Sequence, residues 1–183
     1  MKALFVKYKP VIKFILTFLI VYVALSMSYK LYLDFSEESN FYPDYLTNLV
    51  AKQSESILDV VGYDTRIEPH QNERSMKLII NKKFVARIIE GCNSISIIIL
   101  FVSFIIAYAG KWKITFFYLL SGSVLIYVIN LIRIVILSIG LYHYPWRKEI
   151  LHTVIFPLII YGLVFLLWMF WVNRFAINSS KNA

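Results

Sequence analysis

Long apolar stretches are the feature of this sequence that most restricts its fold. A helix needs roughly 20 residues to cross a hydrocarbon core of about 30 Å, and four stretches of the 183-residue chain reach a spanning length. Hydrophobic residues make up 59% of the chain, more than a water-soluble domain of this size could bury. The sequence therefore predicts an all-α integral membrane protein, a bundle of four transmembrane helices over approximately Val11–Leu31, Asn93–Gly110, Ile114–Arg133 or beyond, and His152–Val172.

Basic residues are concentrated in the short segments on one side of the predicted spans. Those segments contain eight lysines and arginines and no acidic residue, namely Lys2, Lys7, Lys9, Lys13, Lys111, Lys113, Arg174 and Lys181. Because cytoplasmic segments are enriched in lysine and arginine, we expect both termini to be cytoplasmic. Every acidic residue except Glu149 lies between Asp34 and Glu90, in a segment that this topology puts outside. The net charge of +8 is therefore attributed to topology and anionic lipid, and not to nucleic acid.

The first apolar stretch permits two interpretations. A lysine-rich start followed by small residues at Ala24, Ser26 and Ser28 resembles a secretory signal peptide. The apolar run is longer than a usual signal core, however, and it carries tyrosines toward its outer half, as an interfacial anchor would. We therefore expect residues 1–33 to form an uncleaved membrane anchor.

A polar segment over residues 34–90 separates the first two apolar stretches. Apolar residues recur at helical spacing before Gly62, which suits the end of a helix. Two β-rich runs, Met76–Ile80 and Phe84–Ile89, flank a polar turn and predict a hairpin. The segment is expected to be a small extracytoplasmic α+β insert that lies against the membrane surface as a lid or substrate platform.

Cys92 is the single cysteine of the chain and lies in Glu90-Gly91-Cys92-Asn93-Ser94, at the start of the second apolar stretch. A free cysteine usually serves as a small buried hydrophobe, but on an oxidising outer face it suggests a reactive thiol or an intermolecular disulfide. Capping of the following helix by Asn93 or Ser94 would leave the sulfur near the positive end of the helix dipole, which favours the thiolate. Gly91 would permit a sharp turn and close approach by a substrate.

Arg133 lies within the third apolar stretch, where a charge costs a few kcal/mol or more unless it has a function or a partner. Snorkelling at a helix end is the ordinary explanation, but the apolar run continues from Ile134 to Leu141. Asn130 shares the helix face of Arg133 and could orient the guanidinium or a substrate carbonyl. The fixed donors of a guanidinium suit a developing oxyanion, so we interpret Arg133 as functional.

The chain has three histidines, and only His152 opens a predicted membrane helix. A rigid backbone would let its ring point into the bundle, as a general base requires. His70, beside Pro69 in the insert, is expected to be a solvated loop residue, and His143 belongs to an outer loop that looks interfacial. One cysteine and three scattered histidines lack the paired ligand spacing of a zinc site, so no metal or other cofactor is expected.

The order of these residues resembles the exosortase/archaeosortase family. A cysteine in a helix-initiating motif is followed by Asn-x-x-Arg-Ile and by a histidine at the start of the last span, over about Glu90 to Val172. The Glu-Gly-Cys-Asn-Ser motif is most similar to the exosortase F branch. Many relatives have Cys-Ser-Gly where this chain has Cys-Asn-Ser, so a PEP sorting motif is not assumed.

This resemblance implies a cysteine transpeptidase of the bacterial cytoplasmic membrane with its active site at the extracytoplasmic face. Its substrates would be exported proteins with a C-terminal signal of a short motif, a transmembrane helix and a basic cluster. Cys92 would be the nucleophile, Arg133 the transition-state stabiliser and His152 the acid and base. Residues 91–173 would form a three-span catalytic core and residues 174–183 a cytoplasmic tail.

Two other functions fit the sequence. A non-catalytic scaffold in envelope biogenesis or polysaccharide export would use Ser121, Gly122 and Ser123 as a close-packing helix face and Arg133 as an anchor. A small-molecule transporter is a third possibility, although four spans without a repeat or a broken-helix pair argue against it.

Overall fold

The computed structural model describes residues 2–36, 42–71, 73–108 and 110–176. It is mostly helical, with one small antiparallel sheet. The helices are α1 (Lys2–Phe35), α2 (Tyr45–Val60), α3 (Ile95–Ala107), α4 (Trp112–His143), α5 (Lys148–Ile150) and α6 (Phe156–Trp171), and the strands are β1 (Thr65–Pro69), β2 (Ser75–Ile80) and β3 (Lys83–Ile89).

Among the described residues, three helical segments are long and apolar enough to cross a membrane, namely Tyr8–Phe35, Trp112–His143 and Pro145–Arg174. The second predicted span is represented by α3, whose 13 residues extend about 20 Å, less than a hydrocarbon core of about 30 Å. Ser94 has a left-handed φ of 64° at its start, and Tyr108 ends it. Three spans therefore meet the length criterion, and a fourth crossing stays a prediction.

The apolar helices pack in antiparallel pairs. At one end of the α1–α3 pair, the rings of Phe14 and Tyr108 lie 4.7 Å apart, and at the other end Asn93 Nδ2 donates to the Tyr29 hydroxyl at 2.7 Å. The C-terminal part of α6 returns to the start of α4, where Tyr118 and Trp171 have ring centroids 4.8 Å apart. One end of this bundle therefore gathers the C-terminal half of α1, the start of α3 and the C-terminal half of α4.

The insert contains the predicted helix and hairpin. The carboxylate of Asp44 caps α2 by accepting from Thr47 N at 3.0 Å, and the helix ends before Gly62, whose φ is +102°. The hairpin of β2 and β3 is confirmed, with a two-residue turn at Asn81 and Lys82 in the left-handed region. The strand β1 was not predicted; it pairs with β2 and gives the sheet order β1-β2-β3.

The insert shares its core with α4. Apolar side chains of α2 and of the strands are buried together with side chains from the C-terminal half of α4, in a cluster that includes Leu58, Leu78, Ile88, Leu131, Ile134 and Val135. About 55 residues would bury a small core by themselves. Because α4 completes this core, the insert is held against the end of the bundle at which α3 begins.

Candidate active site

Cys92 is positioned by a backbone contact with α4. It ends a 3-10 turn, Glu90–Cys92, that directly follows β3 and precedes α3. Asn130 Nδ2 donates to the Cys92 carbonyl oxygen at 2.7 Å, and Asn130 is only 2% exposed. Asn130 thus supplies the donor that the carbonyl of this turn needs, and its expected contact with Arg133 or a substrate carbonyl stays a prediction.

Asn93 joins three elements behind Cys92. Its Oδ1 accepts from Ile95 N at 3.0 Å, and its Nδ2 donates to the hydroxyls of Tyr29 at 2.7 Å and Thr47 at 3.2 Å. Of the two predicted caps, Asn93 is the side chain that binds an N–H at the start of α3. The Ser94 hydroxyl instead donates to the Asn93 carbonyl at 2.6 Å, so Ser94 stands at the N-cap position without a side-chain cap.

Gly91 is not required by the local backbone. Its φ lies outside the left-handed region, and a Cβ added to it would meet only the side chain of Ile89, at 3.9 Å, which is ordinary van der Waals contact. Gly91 lies within the 3-10 turn Glu90–Cys92, and the left-handed conformation in this segment belongs to Ser94. Close approach of a substrate to Gly91 stays a prediction.

Cys92 and Arg133 line one cavity of about 460 Å³. The cavity lies between β3, residues 84–88, and the part of α4 from Arg133 to Leu141. Cys92 and Arg133 are both half-buried. Within the described part of the chain, the buried Nε of Arg133 has no hydrogen-bond partner. The structure thus places Cys92 and Arg133 on the same cavity.

His70 also lines this cavity, although the sequence suggested a solvated loop. It is half-buried, and its backbone N–H donates to the Ser75 carbonyl at 2.9 Å across the β1–β2 connection. Ser75 pairs with Ile89, so His70 lies at the end of the sheet that leads to Cys92.

His143 has a different environment. Its Nε2 is 3.0 Å from the Tyr63 hydroxyl in an exposed contact near the end of α4, and it does not belong to the cavity lining.

The backbone of His152 lies in a π-helical turn, Leu151–Ile155, directly before α6. Its side chain lies outside the described part of the structure. The preceding residue, Leu151, packs on Gly140, where its Cδ1 is 3.5 Å from the position of an added Cβ. Gly140 is ten residues beyond Asn130 on α4, or about 15 Å. The His152 backbone is therefore near the far end of the cavity wall, while Cys92 is at the near end.

Comparison with known proteins agrees with the predicted resemblance. The model of the family described as transmembrane exosortase (Exosortase_EpsH) matches residues 4–174. No curated protein and no solved structure matches the chain. The matched range contains the insert, Cys92, Arg133 and His152 and covers nearly the whole sequence. The chain is therefore a multi-pass membrane protein that belongs to the transmembrane exosortase family.

Proposed function

We propose that this chain is a membrane-embedded cysteine transpeptidase or peptidase that cleaves C-terminal sorting signals of exported proteins through a thioester on Cys92. The proposal rests on the cavity that Cys92 and Arg133 share. The buried Nε of Arg133 also has no hydrogen-bond partner among the described residues. Membership of the exosortase family supports the same reaction class. The Glu90-to-Ser94 motif favours the exosortase F branch within that family.

In the proposed mechanism, a base removes the thiol proton and the thiolate attacks the carbonyl carbon of the scissile peptide bond. The carbonyl oxygen becomes an oxyanion, which Arg133 stabilises. When the tetrahedral intermediate collapses, the C–N bond breaks and the base returns the proton to the leaving nitrogen. The new thioester is then attacked by an amine, a hydroxyl or water, whose proton passes to the Cys92 sulfur as the acyl group leaves.

The base is assigned to His152 by its place in the family pattern. Its backbone is about 15 Å along α4 from the Asn130 level, at which Cys92 is held. The assignment requires the His152 ring to come within hydrogen-bond distance of the Cys92 sulfur in the complex with a substrate. His70 is the alternative base, because it lines the cavity with Cys92 in the present conformation.

We propose the topology with both termini in the cytoplasm, the insert and the site outside, and α3 as a fourth crossing. Three observations support it. The residues Asn93 to Tyr108, which include α3, run alongside α1 from Tyr29 to Phe14, about 22 Å of helix. Lys111 and Lys113 lie at the opposite end of α3 from Cys92, and all acidic residues except Glu149 lie in residues 34–90. The domain boundaries proposed from the sequence, at residues 33, 90 and 173, follow from this topology. Reporter fusions after Lys113 and after the C-terminus should both report cytoplasm, and an outer position of Lys113 would overturn the topology.

The function is tested by comparing membrane and secreted proteins by mass spectrometry in three strains. One strain contains the wild-type chain, one lacks it, and one contains Cys92→Ala at the same level. Exported proteins should retain their C-terminal membrane helices in the second and third strains, because no thioester forms without the sulfur. Normal processing by Cys92→Ala would leave the scaffold function as the better account.

A further inference from the structure

The two edges of the insert sheet are protected unequally. At the β1 edge, carboxylates of α2 accept backbone N–H groups: Glu55 from Ile67 at 2.9 Å and Asp59 from Thr65 at 3.0 Å. At the β3 edge, no described residue outside the sheet forms a hydrogen bond with the backbone of residues 84–88. An edge strand with unpaired N–H and C=O groups is a template for another strand. The β3 edge is therefore open to an extended peptide.

The cavity of Cys92 runs along this open edge. Five consecutive residues of β3, Phe84 to Ile88, line it. Side chains of successive strand residues point to opposite faces of a sheet, so a cavity that all five residues touch lies beside the edge rather than over one face. Polar groups of the β3 backbone therefore face the space that also contains Cys92.

The strand β3 leads along α4 to the nucleophile. Next to its first residue, Asn81 Nδ2 donates to the hydroxyl of Tyr142 at 3.1 Å. Past its last residue, Cys92 is held by Asn130 at 2.7 Å. Tyr142 and Asn130 are twelve residues apart on α4, about 18 Å, which is close to the length of a seven-residue strand at about 3.3 Å per residue. A peptide that follows β3 would therefore be led to Cys92.

The charge of the cavity favours a particular occupant. Arg133 and Lys148 line it, and among the described residues no aspartate or glutamate belongs to its lining. Arg87 also lines the cavity, but its charge is paired with that of Glu73. An extended segment with a carboxylate would compensate the two remaining charges.

We propose that the extended segment before the C-terminal membrane helix of an exported substrate pairs with the open edge of β3, parallel to it. This inference rests on the proposed function. In the proposed topology β3 runs toward the membrane, and so does a substrate chain that continues into a C-terminal membrane helix. Parallel pairing of about five residues, about 16 Å, would bring the following peptide bond to Cys92. Backbone hydrogen bonds would supply affinity, and the cavity would select side chains.

The pairing is tested with Cys92→Ala, as the full chain in lipid nanodiscs, so that binding is measured without chemistry. The probe is derived from an exported protein of the same cell whose C-terminus consists of a membrane helix and a basic cluster. It is a synthetic peptide with the sequence of the eight residues that precede this helix. Single N-methyl groups are placed at each position in turn. Methylation of alternate residues should weaken binding by about tenfold, and methylation of the residues between them by less than about threefold, because alternate N–H groups face β3. Uniform effects at all positions, or no binding, would overturn the pairing.

Direction is tested by disulfide capture, since Cys92→Ala removes the one natural cysteine. Phe84 pairs with Ile79 and Arg87 with Lys77, with a bulge between them, so Phe84 and Arg87 are two ladder steps apart on the same face. Each is changed to cysteine and offered peptides with one cysteine at successive positions. The best peptide position should lie two residues nearer the peptide C-terminus for Arg87→Cys than for Phe84→Cys. A shift toward the N-terminus would contradict parallel pairing.

Lys77→Cys provides the matched control, because Lys77 lies on the same face but on the central strand. It should capture the peptide more slowly at every position. The outcomes also separate the two proposals. Processing of substrates by Cys92→Ala cells would reject the proposed function, whereas an essential Cys92 without alternation along the peptide would reject only the pairing with β3.

Discussion

Replacement of Arg133 by lysine separates a fixed donor from a simple charge. The guanidinium lines the cavity with Cys92, and its buried Nε has no partner among the described residues. Lysine keeps the positive charge but loses the planar set of donors. Because Arg133→Lys removes a donor that is unpaired in the resting structure, the free energy of unfolding should change little. Loss of one oxyanion donor typically costs about 10² to 10³ in rate, or about 2.7 to 4 kcal/mol of transition-state stabilisation.

The assay is the rate of substrate cleavage under single-turnover conditions, in membranes that contain equal amounts of each variant. Arg133→Lys should cleave at least about a hundredfold more slowly than the wild type. Arg66→Lys is the matched control, because Arg66 is an exposed residue of β1 outside the cavity, and it should cleave at the wild-type rate. A folded Arg133→Lys protein with near-normal cleavage would refute the oxyanion role and favour snorkelling.

Three pairs of substitutions test the packing and the base. Asn130→Ala leaves a carbonyl of the nucleophile turn without its donor, and it should lower the free energy of unfolding by about 1 to 3 kcal/mol; Asn130→Asp should not restore stability, because a carboxylate cannot donate. Gly122→Ala would put a Cβ 2.7 Å from a ring carbon of an aromatic side chain in α3. In thermal unfolding it should destabilise the chain by about 1 to 3 kcal/mol. The added Cβ of Gly162→Ala meets no atom within 4 Å, so this variant should leave the stability unchanged. His152→Ala should stop cleavage and His70→Ala should slow it only mildly if the family pattern identifies the base; the reverse result would assign the base to His70.

The features that the sequence predicts well depend on local patterns. The helix α2 follows from apolar residues at helical spacing before Gly62, and the β2–β3 hairpin from two apolar runs around a polar turn. Long apolar runs likewise identify α4 and the segment that contains α6. Each pattern reflects the burial of one face or one stretch, and it can therefore be recognised without knowledge of the other elements.

Features that depend on distant contacts were missed. The strand β1 contains Arg66, Glu68 and Pro69, so it lacks an apolar pattern, and it forms because β2 pairs with it and α2 carboxylates bind its edge. The predicted second span, Asn93–Gly110, is longer than α3, which begins after Ser94 and ends at Ala107. These properties follow from pairings that local composition does not contain.

The candidate site was predictable in its residue types more than in its geometry. Hydropathy and motif order selected Cys92 and Arg133, and the structure puts both on one cavity. The roles of Asn130 as the donor to Cys92 and of His70 as a lining residue arise from contacts between α4, the sheet and the turn before α3. Spacing along one helix suggested instead that Asn130 serves Arg133, because residues three apart share a face.

Detection of the acyl-enzyme tests the proposed function most directly. Wild-type chain in nanodiscs is mixed with a substrate that carries its C-terminal membrane helix, quenched with acid before the acceptor reacts, and digested for mass spectrometry. The account predicts that the Cys92 peptide gains the mass of the truncated substrate segment and loses it after treatment with hydroxylamine. Cleavage of the substrate by Cys92→Ala at the wild-type rate, with no adduct on the wild-type thiol, would contradict it.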